Sequence, residues 1–270
     1  MHADPEVGTG AAGHNSDFPW DEFDSQSYYR HNYRTIRDDD RAILGEVRDF
    51  FSSFGDRSGL KGLDVGTGAN LYPALALLPL CDEITMWEYS ESNVVWLRRE
   101  LRGYSGFLDA ALKVLTGRGL GYSRTWDAFW EVLCEKGLYG GVDDPRKTLK
   151  ARARVCRSSI FELPPQQWDA GTMFFAAESL TGDEGEFESA VQCFLGALRP
   201  GAPFVIASME NSQGYTVGKY RYPAVAIEED DLRKMLKDRA TGTSVRHIES
   251  DGSLRTGYSG MILARGILRE

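Results

Sequence analysis

A glycine turn between a short apolar run and a helical pattern is the stretch whose residue types and spacing could do chemistry. The apolar run contains Asp64. The turn residues Gly66, Thr67 and Gly68 follow almost at once, and the helical pattern begins near Leu71. This order predicts a buried strand, a tight turn and a helix start. Glycine permits backbone angles that side chains forbid, so a ligand can lie against the turn. The unpaired N–H groups of the helix start would face that ligand.

A second acid strengthens this prediction. Glu88 ends the next predicted strand, about 20 residues after the glycines, where an acid can accept hydrogen bonds from both ribose hydroxyls of an adenosine. The spacing D-x-G-x-G lacks the third glycine of the dinucleotide fingerprint, so a dinucleotide dehydrogenase is the least favoured alternative. A two-glycine turn alone also occurs in ordinary strand-to-helix connections. Together, Asp64 and Glu88 favour a nucleoside-type cofactor.

Two further acids follow predicted strands in the C-terminal half. Glu178 comes after the strand near 172–175, and Glu210 comes after the strand near 204–208. The carboxyl ends of parallel strands line the ligand crevice of an open α/β sheet, which makes both acids candidates for the site. The alternative for Glu178 is an acid that complements the dipole of a helix start.

The regular patterns predict an α/β fold with an N-terminal extension. Alternating strands and helices over 57–270, with a late antiparallel pair, predict a doubly wound, Rossmann-like sheet, mostly parallel with a C-terminal antiparallel strand. Residues 1–17 are small and polar and are expected to be a disordered tail. Residues 18–56 combine aromatic residues with a helical stripe and predict either a surface arm or a helical lid. The insertion 103–150 is expected to cap the sheet edge or to line the substrate pocket.

The composition of the chain limits the classes of molecule that it is expected to bind. The chain has 270 residues and a formal net charge of −9, so it presents no basic field for nucleic acid. Four cysteines without a C-x-x-C pair and four scattered histidines give no metal-ligand spacing. No apolar run reaches the length of a membrane span, and the N-terminus lacks a signal-peptide core. We therefore expect a cytoplasmic protein, monomeric or homodimeric, that acts on a small molecule without a metal.

Several motifs, in order, resemble the small-molecule N-methyltransferases that use S-adenosyl-L-methionine (SAM), typified by nicotinamide, phenylethanolamine and thioether methyltransferases. The resemblance runs from near residue 20 to the C-terminus. It implies a class I methyltransferase fold and direct in-line transfer of a methyl group, most often to an amine nitrogen. The matching segments are Y-Y-R-H-N-Y (28–33), L-D-V-G-T-G-A-N-L-Y (63–72), E-I-T-M-W-E-Y-S-E-S-N (83–93) and M-E-N-S-Q-G-Y-T-V-G (209–218).

The resemblance also implies roles for single residues. Glu178 and Glu210 fall where related amine methyltransferases place acids around the substrate amine, so they are the expected catalytic residues. Tyr28 and Tyr33 resemble tyrosines that cover the carboxylate end of SAM. Ser159 stands where the family usually has an aspartate beside the adenine, which puts one adenine contact in doubt. The expected cofactor contacts are Tyr28, Tyr33, Asp64, Gly66, Thr67, Gly68, Tyr72, Glu88, Tyr89, Asn93, Ser159, Ile160 and Phe174, and the expected substrate contacts are Trp126, Trp130 and Tyr215.

Two alternatives remain open at this point. The same cofactor could serve an oxygen, sulfur or carbon acceptor, because the sequence of the insertion does not name the substrate. A protein with this fold could also bind SAM without catalysis, as a binding or scaffolding subunit. Asn93 has its own alternative, since an asparagine on the first turn of a helix can face a cofactor or simply be solvated.

Overall fold

A computed structural model of the chain describes residues 13–55, 59–102, 124–250, 254–255 and 257–269. Part of the predicted tail (1–12) and part of the predicted insertion (103–123) lie outside the described residues.

The strands of the central sheet lie where the sequence predicts strands, with shifts at their ends, whereas the two strands of a hairpin were not predicted. The central sheet contains β1 (Leu60–Val65), β2 (Cys81–Glu88), β3 (Ala153–Arg157), β4 (Ala170–Phe174), β5 (Pro203–Glu210), β8 (Ala240–Glu249) and β9 (Gly260–Leu268). A separate two-stranded hairpin is formed by β6 (Tyr215–Val217) and β7 (Tyr220–Tyr222).

Helices separate most of these strands. The α-helices among the described residues are α1 (Ser25–Asn32), α2 (Asp38–Ser52), α3 (Tyr72–Leu77), α4 (Glu91–Leu101), α5 (Thr125–Cys134), α6 (Pro145–Arg152), α7 (Glu184–Ala197) and α8 (Glu229–Leu236). Short 3-10 turns lie at Asn15–Asp17, Trp20–Glu22, Gly137–Gly141, Ile160–Glu162 and Ala177–Ser179. No described helix is long and apolar enough to cross a membrane.

The sheet has the order β3-β2-β1-β4-β5-β9-β8. Strands β1 to β5 pair in parallel, whereas β9 runs antiparallel to both β5 and β8. This confirms the predicted doubly wound sheet with a C-terminal antiparallel strand. Because β1 neighbours both β2 and β4, the winding reverses at β1 and leaves a crevice beyond the carboxyl ends of these strands.

Two apolar layers cover the sheet. On one face, α2, α3 and α5 pack their apolar stripes together, and on the other face α7 and α8 do the same. The stripe of α2 includes Ile43, Leu44 and Val47, which are fully buried as the helical spacing predicts. These layers hold the strand ends, and hence the crevice between them, in a fixed arrangement.

The N-terminal segment is ordered earlier than the predicted boundary at residue 17. The backbone N–H of Asn15 donates to a carboxylate oxygen of Glu186 at 2.7 Å, and the indole of Trp20 donates to the carbonyl of Asn15 at 2.8 Å. Ser90 donates its hydroxyl to the carbonyl of Trp20. The segment is therefore tied to α7 and to the start of α4, and it runs past the carboxyl end of β2.

Candidate active site

The loop after β1 is shaped by two glycines in the left-handed region, Gly66 with φ +62° and Gly68 with φ +59°. The backbone N–H of Gly66 donates to the carbonyl of Trp87 at 2.8 Å, which joins the loop to the end of β2. A Cβ on Gly66 would overlap the Cβ of Ala176, just beyond β4. The loop can pass this close to β4 only because it carries no side chain there.

Glu88 stands at the centre of the crevice. One carboxylate oxygen accepts the N–H of Gly68 at 2.8 Å, and the other accepts the N–H of Ser90 at 2.8 Å and the side-chain amide of Asn93 at 3.3 Å. The residue is 6% exposed, and burial raises the pKa of its carboxyl group while these donors oppose the increase. The acid thus connects the glycine loop with the start of α4.

Asn93 is part of this arrangement and is 5% exposed, so the solvated alternative for it is wrong. Its side-chain oxygen accepts the hydroxyl of Ser25 at 2.7 Å, which links α4 to α1. The backbone N–H of Asn93 lies 3.4 Å from the hydroxyl of Ser90, which caps α4 as the sequence predicts.

A cleft with an empty volume of about 840 Å³ opens at the carboxyl ends of β1, β2 and β4. The structure brings together most of the predicted site residues here, because the strand ends, the glycine loop and α1 meet at this point. Predicted residues that line the cleft are Tyr28, Tyr33, Gly66, Thr67, Gly68, Glu88, Tyr89, Asn93, Ser159, Ile160, Phe174 and Tyr215.

Two predicted cofactor contacts lie behind the cleft wall and do not line it. Asp64 is fully buried in β1 and accepts the hydroxyl of Thr172 at 3.0 Å. The ring of Tyr72 is also fully buried, stacked on Phe129 at 5.1 Å and edge-on to Phe174 at 5.6 Å. Both residues support the wall from behind, Asp64 within β1 and Tyr72 at the buried start of α3.

Neither of the two acids predicted to be catalytic lines the cleft in this structure. Glu178 is fully buried, and one of its carboxylate oxygens accepts the N–H of Met209 at 3.1 Å and the hydroxyl of Ser179 at 3.0 Å. Glu210 instead pairs with Nδ1 of His247 at 2.9 Å and accepts the hydroxyl of Ser259 at 2.7 Å. Successive side chains near a strand end point to opposite faces of the sheet, so a residue near a strand end need not face the cleft. The carboxylates of these two acids contact protein groups outside the cleft.

The two predicted substrate contacts on α5 are also placed elsewhere. Trp126 is fully buried and packs its ring near Tyr29 and Tyr33 at 5.8 and 6.1 Å. Trp130 packs against Tyr139 at 5.7 Å. Neither lines the described cleft, because the apolar face of α5 joins the core layer on the sheet.

Several cleft residues were not predicted. Phe175 has φ +55°, an uncommon conformation for a side chain with a ring, and its N–H donates to the carbonyl of Ala207 at 2.6 Å. Strain of this kind concentrates at functional sites but leaves no mark in the sequence. Trp20 and Phe23 also line the cleft, and here the aromatic density of the N-terminal segment is a signal that could have found them.

Asp64 gives the site a pH-dependent stability that can be measured. Burial raises the pKa of Asp64 to about 7, and the hydrogen bond from Thr172 only partly offsets this. The unfolded chain releases this proton near pH ~4, so the folded state binds more protons between about pH 4 and about pH 7. The free energy of unfolding therefore falls as pH rises through that window. We expect Asp64→Asn to remove this contribution, so that wild type loses stability relative to the variant as pH rises.

Urea denaturation across that pH window measures the difference between wild type and Asp64→Asn. The exposed Asp238→Asn variant is the control and should follow wild type. Burial also raises the pKa of Asp40 to about 7, so part of the wild-type slope should persist in the Asp64 variant. A constant difference between wild type and Asp64→Asn at all pH values would contradict the prediction.

The described residues contain no cluster of histidine, cysteine, aspartate or glutamate that could hold a metal ion.

Aromatic side chains form one wall of the cleft. Tyr28 lies with its ring 5.2 Å from Phe23 and 6.2 Å from Tyr215, measured between ring centroids. The cleft thus joins a polar end, at Glu88 and the glycine loop, to an aromatic end under α1.

Comparison with known proteins agrees with this geometry. No protein-family model matches the chain. It is 26% identical over 238 residues to phenylethanolamine N-methyltransferase of Bos taurus, covering 81% of this chain and 77% of that protein. It is 23% identical over 186 residues to indolethylamine N-methyltransferase of Mus musculus, covering 65% of this chain and 64% of that protein.

A solved structure with the same fold is the 1,6-didemethyltoxoflavin-N1-methyltransferase of Burkholderia thailandensis, with bound 1,6-didemethyltoxoflavin and S-adenosylhomocysteine. The TM-score is 0.51 at 12% identity, covering 95% of this chain and 87% of that chain. With the glycine loop, the acid at the end of β2 and the sheet order, these similarities indicate a SAM-dependent methyltransferase of the class I fold that is similar to small-molecule N-methyltransferases.

Proposed function

We propose that the protein transfers a methyl group from SAM to an amine nitrogen of a small molecule by direct in-line displacement. The observation that carries the proposal is the composition of the cleft. Among its described lining residues, Glu88 is the only carboxylate, and three hydrogen bonds hold it at the polar end. The aromatic end offers rings and hydroxyls but, among the residues described there, no acid or histidine that could remove a proton from an acceptor.

The residues at the polar end fit the cofactor. The backbone at Gly66 leaves no room for a side chain, and the Glu88 carboxylate lies beside it, where ribose hydroxyls could donate. The ring of Tyr89 is 48% exposed, and Ile160 lines the same cleft, so an adenine can pack between them. Ser159 also lines the cleft, and its hydroxyl accepts the N–H of Phe161 at 3.3 Å. SAM supplies a methyl group that is already activated by a positively charged sulfur.

The aromatic end suits an amine acceptor for two reasons. The faces of rings such as Phe23, Tyr28 and Tyr215 attract cations, which favours both a sulfonium and a methylated ammonium product. A neutral amine attacks with its own lone pair and releases its proton afterwards, whereas an alcohol, phenol or thiol needs a base before or during attack. The cleft then has to align the nitrogen behind the methyl group and exclude water.

The relatives support the same acceptor class, since the two reported above are named as N-methyltransferases of amines. Glu178 and Glu210 are withdrawn as proton acceptors because neither lines the cleft. An acceptor amine must therefore arrive neutral from solvent.

The test is a matched acceptor panel with purified protein and SAM, with products identified by mass spectrometry. Each amine is paired with the alcohol or thiol of the same carbon skeleton. The proposal expects methylation of at least one amine and little or none of its matched partner, with transfer strongly reduced in Glu88→Gln when SAM is limiting. Methylation of oxygen or sulfur in preference to nitrogen would contradict it. Binding of SAM without transfer to any amine would favour the non-catalytic alternative.

A further inference from the structure

A second cavity adjoins the cleft, and Tyr28 and Tyr215 form part of the wall of both. Its empty volume is about 1,340 Å³, and it lies between α1, the β6–β7 hairpin and the segment before β9. Its described lining includes Arg221 and Arg255 and contains no aspartate or glutamate. In a chain with a net charge of −9, this is a locally cationic cavity beside the acceptor end of the cleft.

Arg255 is the central residue of the shared wall. It is 9% exposed, and its guanidinium donates to the hydroxyl of Ser179 at 2.9 Å and to the phenol oxygen of Tyr28 at 3.1 Å. The guanidinium also lies 4.1 Å from the centre of the Tyr215 ring. Three contacts fix the orientation of this side chain, and each is made to a residue that lines the cleft.

The charge of Arg255 has no direct counter-charge among the described residues. Burying a cation is costly unless it is paired, and no described carboxylate lies within ion-pair distance of this guanidinium. Glu178 is linked to it only through Ser179, whose hydroxyl Glu178 accepts at 3.0 Å. Burial raises the pKa of Glu178, and the nearby charge of Arg255 opposes this increase. The two hydrogen bonds use two of the five donors of the guanidinium.

We propose that the acceptor amine also carries a carboxylate, and that Arg255 binds this carboxylate at the wall shared by the two cavities while the amine nitrogen lies in the cleft. This inference rests on the proposed amine methyltransferase. Arginine presents a planar fork that matches a carboxylate, and such pairs fix orientation as well as position. Binding the acceptor at its far end would hold the nitrogen in line with the methyl group.

SAM has a carboxylate of its own, which could in principle reach the same guanidinium. Arg255 lines the second cavity and not the cleft that contains Glu88 and the glycine loop, and this placement favours the acceptor as the source. The two sources differ in what they predict. An acceptor contact leaves the affinity for S-adenosylhomocysteine unchanged when Arg255 is replaced, whereas a cofactor contact lowers it.

The test is calorimetric titration of protein saturated with S-adenosylhomocysteine, using matched probes that differ only in a carboxylate. The pairs are L-phenylalanine with phenylethylamine and L-tryptophan with tryptamine. Wild type is expected to bind the carboxylate member of at least one pair about tenfold more tightly, which is ~1.4 kcal/mol. Arg255→Gln should remove that preference with little change in affinity for S-adenosylhomocysteine. Arg233→Gln, an exposed arginine on α8, is the matched control and should keep it.

Three outcomes would overturn the inference. In the first, wild type binds the bare amines as tightly as the acids, or binds no acid of the panel. In the second, the preference survives in Arg255→Gln. In the third, Arg255→Gln loses affinity for S-adenosylhomocysteine, which assigns the arginine to the cofactor. Arg255→Lys keeps the charge beside Glu178 but loses the fork, so it should fold and show a preference weakened several-fold.

Failure of the proposed function has a different signature. It would leave every bound amine unmethylated when SAM is supplied, even where the carboxylate preference is present in wild type and absent in Arg255→Gln. The carboxylate preference is measured without turnover, so the two results are independent.

Discussion

Replacement of Glu88 with glutamine is expected to weaken binding of S-adenosylhomocysteine by about 10- to 100-fold. Hydrogen bonds to a charged group contribute roughly 1.5–3 kcal/mol, and Glu88 accepts three from the protein alone. The glutamine amide would turn a donor toward the N–H of Gly68 or of Ser90, and it would accept less strongly from ribose hydroxyls. Both effects act on the cofactor and leave the apolar core unchanged. Calorimetric titration measures the loss directly.

Glu91→Gln is the matched control for this variant. Glu91 begins α4 three residues after Glu88, has a side chain 45% exposed, and pairs with Arg157 at 3.0 Å. Its replacement should change affinity by less than about twofold, because exposed ion pairs contribute little. Equal affinities for wild type and Glu88→Gln would contradict the assigned role of Glu88.

Replacement of Gly66 with alanine is expected to abolish cofactor binding and to destabilise the fold. The new Cβ would overlap that of Ala176, and the left-handed φ of +62° costs a non-glycine residue about 1–2 kcal/mol in addition. Overpacking of this kind typically costs a further ~1–3 kcal/mol. Urea denaturation measures the stability, and titration with S-adenosylhomocysteine measures the site.

Two further variants separate the backbone cost from the overlap. Gly201 has φ +81°, and a Cβ added there would meet nothing within 4 Å, so Gly201→Ala should show the conformational cost alone. Ala176→Gly removes the opposing Cβ and should restore part of the stability of Gly66→Ala in a double variant. If Gly66→Ala and Gly201→Ala destabilised the protein equally, the close approach of the loop to β4 would be refuted.

The cofactor end of the cleft could be predicted because its signals are local in sequence. A strand, a two-glycine turn and a helix start follow one another directly, and Glu88 ends the neighbouring strand, so register alone brings them together. The cap of α4 at Ser90 is equally local. The doubly wound fold class could be predicted from the alternation of strand and helix patterns.

The acceptor end could not be predicted in the same way. Glu178 and Glu210 both follow strand ends, but which side of the sheet a side chain faces depends on packing against α1, the hairpin and β9. Trp126 and Trp130 show the same limit, because an apolar helical stripe has the same spacing whether it covers a core or lines a pocket. Their burial in the core emerges only from the tertiary structure.

Arg255 had no signal in the sequence. It lies between β8 and β9 without a motif around it, and its contacts with Tyr28 and Ser179 join positions 227 and 76 residues apart. The sequence did indicate the aromatic residues of the N-terminal segment, among them Tyr28, which contacts Arg255. The contact of Arg255 with these residues can be recognised only in the folded structure, which brings the two ends of the chain together.

A crystal structure of the protein with S-adenosylhomocysteine tests the central claim most directly. The prediction is that both ribose hydroxyls lie within hydrogen-bond distance of the Glu88 carboxylate, that the adenine packs between Tyr89 and Ile160, and that the sulfur faces the aromatic end near Tyr28. A nucleoside bound elsewhere, or a ribose that does not contact Glu88, would contradict this assignment of the cleft.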